Sequence, residues 1–287
     1  MKNKFLYIEK KELLRFVAYL FIVFFSIKNL AAQVDTNTTP LDSNYTHIAT
    51  ISEKVTFITT DKLLNVYVIT ARGEFVKYTP DGKEIARYNN FSLGNPSLAD
   101  ATNPFQILLY FPEFMTVVTL DNTLNEAARY ELFDLNVSEV DALCFANDGN
   151  VWLYDPTTFT LKKIDRNSKV LLESENFAFV FDELPQPNFL IERNNRLYMN
   201  DPQRGVFIFD VYAAYETLIP VMELENLQVI DEQLVYAKGS TLQTFHTQML
   251  YTRSLALPRE ANEKDRINIE RNRVFVVKEN EVIFYKF

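Results

Sequence analysis

Apolar and polar positions alternate in short runs along most of the chain, and turn residues punctuate the runs at regular intervals. The clearest unit is Phe145 to Asp165, FANDGNVWLYDPTTFTLKKID. Asp148-Gly149 between apolar runs is a strong hairpin signal and predicts a type I′ turn. Val151-Trp152-Leu153-Tyr154 reads as a buried inner strand, rich in aromatic and β-branched residues. Asp155-Pro156-Thr157-Thr158 marks the next turn, because Pro fixes φ and cannot continue a ladder. Leu161-Lys162-Lys163-Ile164 alternates poorly and is expected to be a half-exposed strand. Val55–Ile58, Val66–Ile69, Phe75–Tyr78 and Ile85–Tyr88, separated by turn signals, predict a complete four-stranded unit.

Weaker copies recur. Ile191-Glu192-Arg193-Asn194 and Ile269-Glu270-Arg271-Asn272 open two units with nearly the same letters, 78 residues apart. Taking Tyr67, Leu109, Trp152, Tyr198, Tyr236 and Phe275 as inner-strand markers gives spacings of 42, 43, 46, 38 and 39 residues. A repeat of roughly 40 residues is the period of a propeller blade. The expected fold is therefore all-β, a six-bladed β-propeller over residues 45–287. The last unit stops at Phe287 without its outermost strand. Tyr45–Ile51 has no partner of its own and is expected to complete that unit, closing the ring.

The N-terminus has a different pattern. Lys2, Lys4, Lys10, Lys11 and Arg15 precede an apolar run from Phe16 to Phe25, and Ala31-Ala32 follows. This predicts a secretory signal peptide over residues 1–32, then a polar linker over 33–43. The ten-residue run falls short of the ~20 residues that span a bilayer, so no transmembrane span is expected in the mature chain. The protein is expected to be exported, to the periplasm or an outer-membrane-associated position.

Charge and composition narrow the partners. The whole chain carries −9, and removal of a leader with six basic and two acidic residues leaves −13. Such a body argues against nucleic acid as a partner. Cys144 is the only cysteine, so no internal disulfide can form, and it is expected to be a small buried hydrophobe.

No catalytic constellation stands out, and no catalytic residue is assigned. His47 and His246 are the only histidines, and neither has a second ligand at metal-binding spacing. Carboxylates at equivalent blade positions, Glu53, Asp100, Asp141, Glu192, Asp231 and Glu270, could converge on the axis. Glu192, Asp231 and Glu270 are the candidates for holding Ca²⁺, which takes six to eight oxygens. The competing reading is that Glu192 and Glu270 open their blades and pair with Arg193 and Arg271. Two irregular segments are binding candidates: Asp100 to Phe105, with Asp100, Asn103, Pro104 and Phe105, and the connection over 173–188, with Phe177, Phe179 and Phe181 as an exposed aromatic lip.

The repeated pattern resembles six-bladed propellers of the NHL and TolB-like type. The resemblance rests on Asp148–Tyr154, Asn65–Val68 with Tyr78–Gly82, and the two Glu-Arg-Asn openings. It implies the fold over residues 45–287 and no activity. The expected function is a non-enzymatic protein-binding or scaffold module whose partner is another envelope protein. A metal-dependent hydrolase or lyase using axial carboxylates, and a carbohydrate-binding module, are the alternatives.

Overall fold

The computed structural model describes residues 44–287 apart from 136 and 138. The expected leader and linker lie outside the described residues. Six four-stranded antiparallel sheets form a ring of blades. Blade 1 is β2 (Val55–Thr60), β3 (Val66–Thr70), β4 (Phe75–Tyr78) and β5 (Glu84–Tyr88). Blade 2 is β6 (Leu98–Asn103), β7 (Gln106–Phe111), β8 (Thr116–Leu120) and β9 (Glu126–Glu131). Blade 3 is β10 (Leu143–Phe145), β11 (Val151–Asp155), β12 (Thr160–Ile164) and β13 (Val170–Glu173). Blade 4 is β14 (Phe189–Arg193), β15 (Arg196–Asp201), β16 (Gly205–Asp210) and β17 (Tyr215–Ile219). Blade 5 is β18 (Gln228–Ile230), β19 (Gln233–Lys238), β20 (Thr241–His246) and β21 (Tyr251–Ala256). Blade 6 is β22 (Arg266–Glu270), β23 (Arg273–Val277) and β24 (Val282–Lys286), completed by β1 (Thr46–Ile51), which pairs antiparallel with β24. The ring thus closes with strands from both ends of the described chain, as the sequence predicts.

Burial explains the composition of the strands. A blade has a neighbour on each side, so its second and third strands are covered on both faces. Side chains alternate across a strand, and both sets must be apolar. In β3, Tyr67 and Ile69 pack towards blade 2, while Val66 and Val68 pack towards blade 6. Each of the six apolar clusters fills one interface between neighbouring blades. The outermost strands β5, β13 and β17 are largely exposed. The marker residues Tyr67, Leu109, Trp152, Tyr198, Tyr236 and Phe275 occupy the second strand of their blades, not the innermost one.

Two local expectations are corrected. The Asp148-Gly149 hairpin is not a two-residue type I′ turn. Gly149 N–H donates to the Ala146 carbonyl at 3.0 Å, so Asn147 and Asp148, not Asp148 and Gly149, are the central pair, and Gly149 follows them. Gly149 takes φ 80°, and Asp148 is not among the positive-φ residues. The same turn recurs without glycine at Leu64, Leu124, Ser168 and Ala213, all with positive φ. There an aspartate three residues earlier holds the backbone. Asp61, Asp121, Asp165 and Asp210 each accept from the N–H groups two and four residues on. The carboxylate thereby offsets the conformational cost that glycine would avoid.

The second correction is β12, which is buried throughout, not half exposed. Its lysines reach carboxylates. Lys162 Nζ lies 2.5 Å from Asp155, and Lys163 Nζ lies 3.0 Å from Asp148 and over the Trp152 ring. Long aliphatic stems can be buried while the ammonium finds a partner. Cys144 is buried on β10 as expected, and burial pushes its thiol well up.

The strand order defines two faces. Innermost strands begin on one face, here the entry face, and end on the other, the exit face. Antiparallel pairing then puts the second-to-third-strand turns and the connections between blades on the entry face. The first-to-second and third-to-fourth turns lie on the exit face. Among the described residues no helix is long and apolar enough to cross a membrane.

Removing β1 exposes the edge of β24 and the apolar contacts of Ile48 and Ile51. A chain lacking residues 1–51 should lose about 3 kcal/mol relative to one lacking residues 1–43. The corresponding fall in Tm is about 6–12 °C, read by thermal unfolding.

Candidate functional site

The innermost strands surround an axial cavity of about 420 Å³. Ile58, Leu98, Leu143, Ile191, Val229 and Ile267, one from each blade, are among the residues lining it. The polar groups along this axis bond mainly to one another across blade boundaries. Asp100 of blade 2 accepts from Phe145 N–H of blade 3 at 3.1 Å and from the N–H and hydroxyl of Thr102. Glu192 of blade 4, only 2% exposed, accepts from Trp152 Nε1 at 2.6 Å and from Asn147 N–H at 3.3 Å, both in blade 3. Blade 3 is therefore gripped from both sides by carboxylates, Asp100 holding β10 and Glu192 holding β11 and the turn before it.

The other boundaries use neutral groups and arginines. Gln228 of blade 5 bonds the Asn268 side chain and both backbone groups of Ile269 in blade 6. Thr60 of blade 1 reaches Asn268 Oδ1 at 3.3 Å and Glu270 at 3.5 Å. Arg266 donates to the carbonyls of Thr56 at 2.5 Å and Val55 at 2.9 Å. Arg193 donates across the axis to the Thr102 hydroxyl, spanning from blade 4 to blade 2.

This geometry places the axial carboxylates individually. Glu192 is a strut in a blade interface. Asp231 is exposed on a tight turn with φ 52°. Glu270 stands beside Thr60, and burial pushes its carboxyl up, partly opposed by Arg271 and Arg193. The three are not brought together. Among the described residues no three His, Cys, Asp or Glu form a group that could hold a metal ion. His47 lies on the closing strand, and His246 ends β20 beside Glu232 at 3.9 Å. Neither histidine lines the cavity.

The two binding segments named from the sequence lie on opposite faces. Asn103, Pro104 and Phe105 form the first hairpin turn of blade 2, on the exit face. Asn103 Oδ1 accepts from Phe105 N–H at 3.1 Å, and Phe105 is exposed. Phe177, Phe179 and Phe181 lie in the connection from blade 3 to blade 4, on the entry face. Phe177 is buried and stacks on Tyr154 and Phe209, while Phe181 packs edge-on against Phe177 and Phe207. Phe177 and Phe181 therefore belong to the core and not to a lip. Phe177–Phe179 is a single 3-10 turn capped by Asn176, which sends Phe179 outward, 90% exposed.

Phe179 is not isolated. Phe91 (76%), Phe133 (78%), Phe179 and Met222 stand exposed in four successive connections between blades, all on the entry face. Phe114, on the turn between β7 and β8, joins them on the same face. The sequence reasoning missed Phe91, Phe114, Phe133 and Met222, although a signal was present. Phe91, Phe133, Phe179 and Met222 are separated by 42, 46 and 43 residues, the blade period itself.

No family model and no curated protein sequence matches this chain. Solved structures of similar fold include virginiamycin B lyase from Staphylococcus aureus, at 10% identity and TM-score 0.57, covering 85% of this chain and 98% of that one. The Pan2 WD40 domain of Neurospora crassa aligns at 8% identity and TM-score 0.58, covering 87% and 97%. At these identities the likenesses show the fold: the chain is a β-propeller.

Two substitutions test the axial groups. Glu192→Ala leaves the buried Trp152 Nε1–H donor without a partner, and should cost about 2–4 kcal/mol in urea unfolding at unchanged m value. Glu270 has a raised carboxyl, so the folded state holds its proton more tightly than the unfolded chain. Its contribution to stability is present at acid pH and is lost as pH rises from the ordinary glutamate range through the raised value. Glu270→Gln should raise Tm at neutral pH, with the gain shrinking towards acid. A gain independent of pH would contradict the assignment.

Proposed function

We propose that this protein is an exported envelope propeller that holds another protein through its entry face and performs no chemistry of its own. The observation that carries this reading is the row of large apolar side chains in four successive blade connections. Exposed residues of this size at a rigid surface are what buried interface anchors are made of. The connections are tied to strands that the ring holds in place, so the side chains are presented with little ordering cost on binding. The basic, apolar and small-residue pattern of residues 1–32 supports export. The axial carboxylates and amides are engaged as struts, which favours a scaffold role for the axis.

A second reading, a small-ligand site, is favoured by the axial cavity of about 420 Å³, which is within the range of ligand pockets. The two readings differ in where substitutions act.

Cross-linking the tagged mature protein in its native envelope, followed by mass spectrometry, should recover one envelope protein in near-stoichiometric amount. The Phe133→Ser/Phe179→Ser variant should fold with unchanged Tm and lose at least about tenfold of that partner. Phe105→Ser, on the exit face, should retain it. Recovery of the protein alone, or full retention by the double variant, would overturn the proposal.

A further inference from the structure

The apolar row is set among acids, and the acids are not spread evenly around the ring. Over the connections and turns that carry it, the exposed acidic side chains include Glu113, Glu139, Asp141, Asp182, Glu183 and Glu223. Among the described residues of those segments (89–97, 112–115, 132–142, 156–159, 174–188, 202–204 and 220–227) the single cation is Arg204. Arg204 is already engaged. It donates to the Glu183 carbonyl and lies over the rings of Phe181 and Phe207. The remainder of the entry face, from blade 6 to blade 1, is different. Lys54, Arg72, Arg259, Lys264 and Lys278 there stand among seven acids and offset most of them, and none of the exposed large apolar side chains falls there. Apolar anchors and unbalanced negative charge therefore share one arc of one face.

Resting on the reading that this face binds a protein, we infer that the occupant is a cationic amphipathic segment, in which Lys or Arg alternates with large apolar side chains. Apolar groups of such a segment cover Phe91, Phe133, Phe179 and Met222, and its cations answer the surrounding carboxylates. Like charges crowd each other on the free surface. Burial and the neighbouring Glu139 both hold the Asp141 carboxyl above its ordinary range. A bound cation relieves that repulsion, which an acidic or neutral partner cannot do. A second copy of this chain is a poor occupant, because it brings the same acidic arc and a net charge of −9.

The test uses the mature protein and two fluorescein-labelled peptides. One is a Lys–Leu amphipathic peptide, and the other has Glu in place of every Lys. Binding is read by anisotropy at low salt and at about 0.3 M salt, where exposed charges are largely screened. The Lys–Leu peptide should bind and weaken at least about tenfold across that range, while the Glu–Leu peptide should not bind. Glu139→Lys/Glu183→Lys, on the arc, should weaken binding at least about tenfold. Asp81→Lys/Glu216→Lys changes the net charge equally, away from the arc, and should leave binding within about twofold. Circular dichroism melts establish that all variants fold.

Equal effects of the two reversals would mean attraction to net charge alone and would overturn the inference, as would equal binding of both peptides. The binding-face reading fails separately. If Phe133→Ser/Phe179→Ser keeps the native partner, the face itself is wrong. If it loses the partner while Glu139→Lys/Glu183→Lys keeps it, the face stands and the cationic occupant is overturned.

Discussion

Everything in this fold depends on blades packing face to face. A single four-stranded blade has two apolar faces and no interior of its own, because the alternate side chains of its middle strands point to opposite neighbours. Tyr67 and Val68 are adjacent in β3, yet they belong to the clusters of different interfaces. The ring is the smallest arrangement that covers both faces of every blade. Closure follows from the same requirement, since a ring with a missing strand at β1 leaves blade 6 with an open edge and weakens its interface with blade 1. The axial hydrogen bonds are secondary to this packing, but they reinforce blades whose innermost strand is short. β10 has only three residues and correspondingly few ladder bonds. Asp100 and Glu192 supply acceptors to blade 3 from either side, and the lone tryptophan is fixed in place by one of them.

The fold was legible because the demand for apolar residues on both faces of the middle strands repeats at every blade. Runs such as Val66-Tyr67-Val68-Ile69 are recognisable without knowing what they touch. The lysines of β12 were not legible, because a lysine pair inside a strand normally marks solvent. Only the positions of Asp155 and Asp148 across the sheet show that Lys162 and Lys163 end on carboxylates. The turns were half legible. Asp148-Gly149 and Asp155-Pro156 mark turns, but that Asp61, Asp121 and Asp210 each support a left-handed residue three places on depends on backbone geometry. With six glycines in the chain, all at positive φ, most such positions had to be filled by other residues.

The candidate site was less legible for a topological reason. Asp100–Phe105 and Phe177–Phe181 both depart from the strand pattern, and sequence offers no way to tell which end of a blade each occupies. Counting strands decides it: one follows an innermost strand and the other precedes one, so they sit on opposite faces. Within the second segment, neighbouring phenylalanines serve opposite purposes. One turn of 3-10 helix puts Phe177 into the interface between blades 3 and 4 and Phe179 into water. Asp100 was singled out for its unusual setting, and that setting is a cross-blade contact.

The exposed row bears on function because folding does not account for it. A phenylalanine that is 90% exposed gains almost nothing from folding and adds to the risk of association. One such residue is ordinary. Four in successive connections, at the spacing of the blades, occupy equivalent places in a repeated structure. The core has no use for that regularity, since the inward residues of the same connections, such as Leu93, Phe177 and Leu224, already supply the packing. The acids between them keep the arc soluble while it is empty. They also set the terms on which it can be filled, because any partner that covers the apolar groups must bring charge of the opposite sign or leave the carboxylates unanswered.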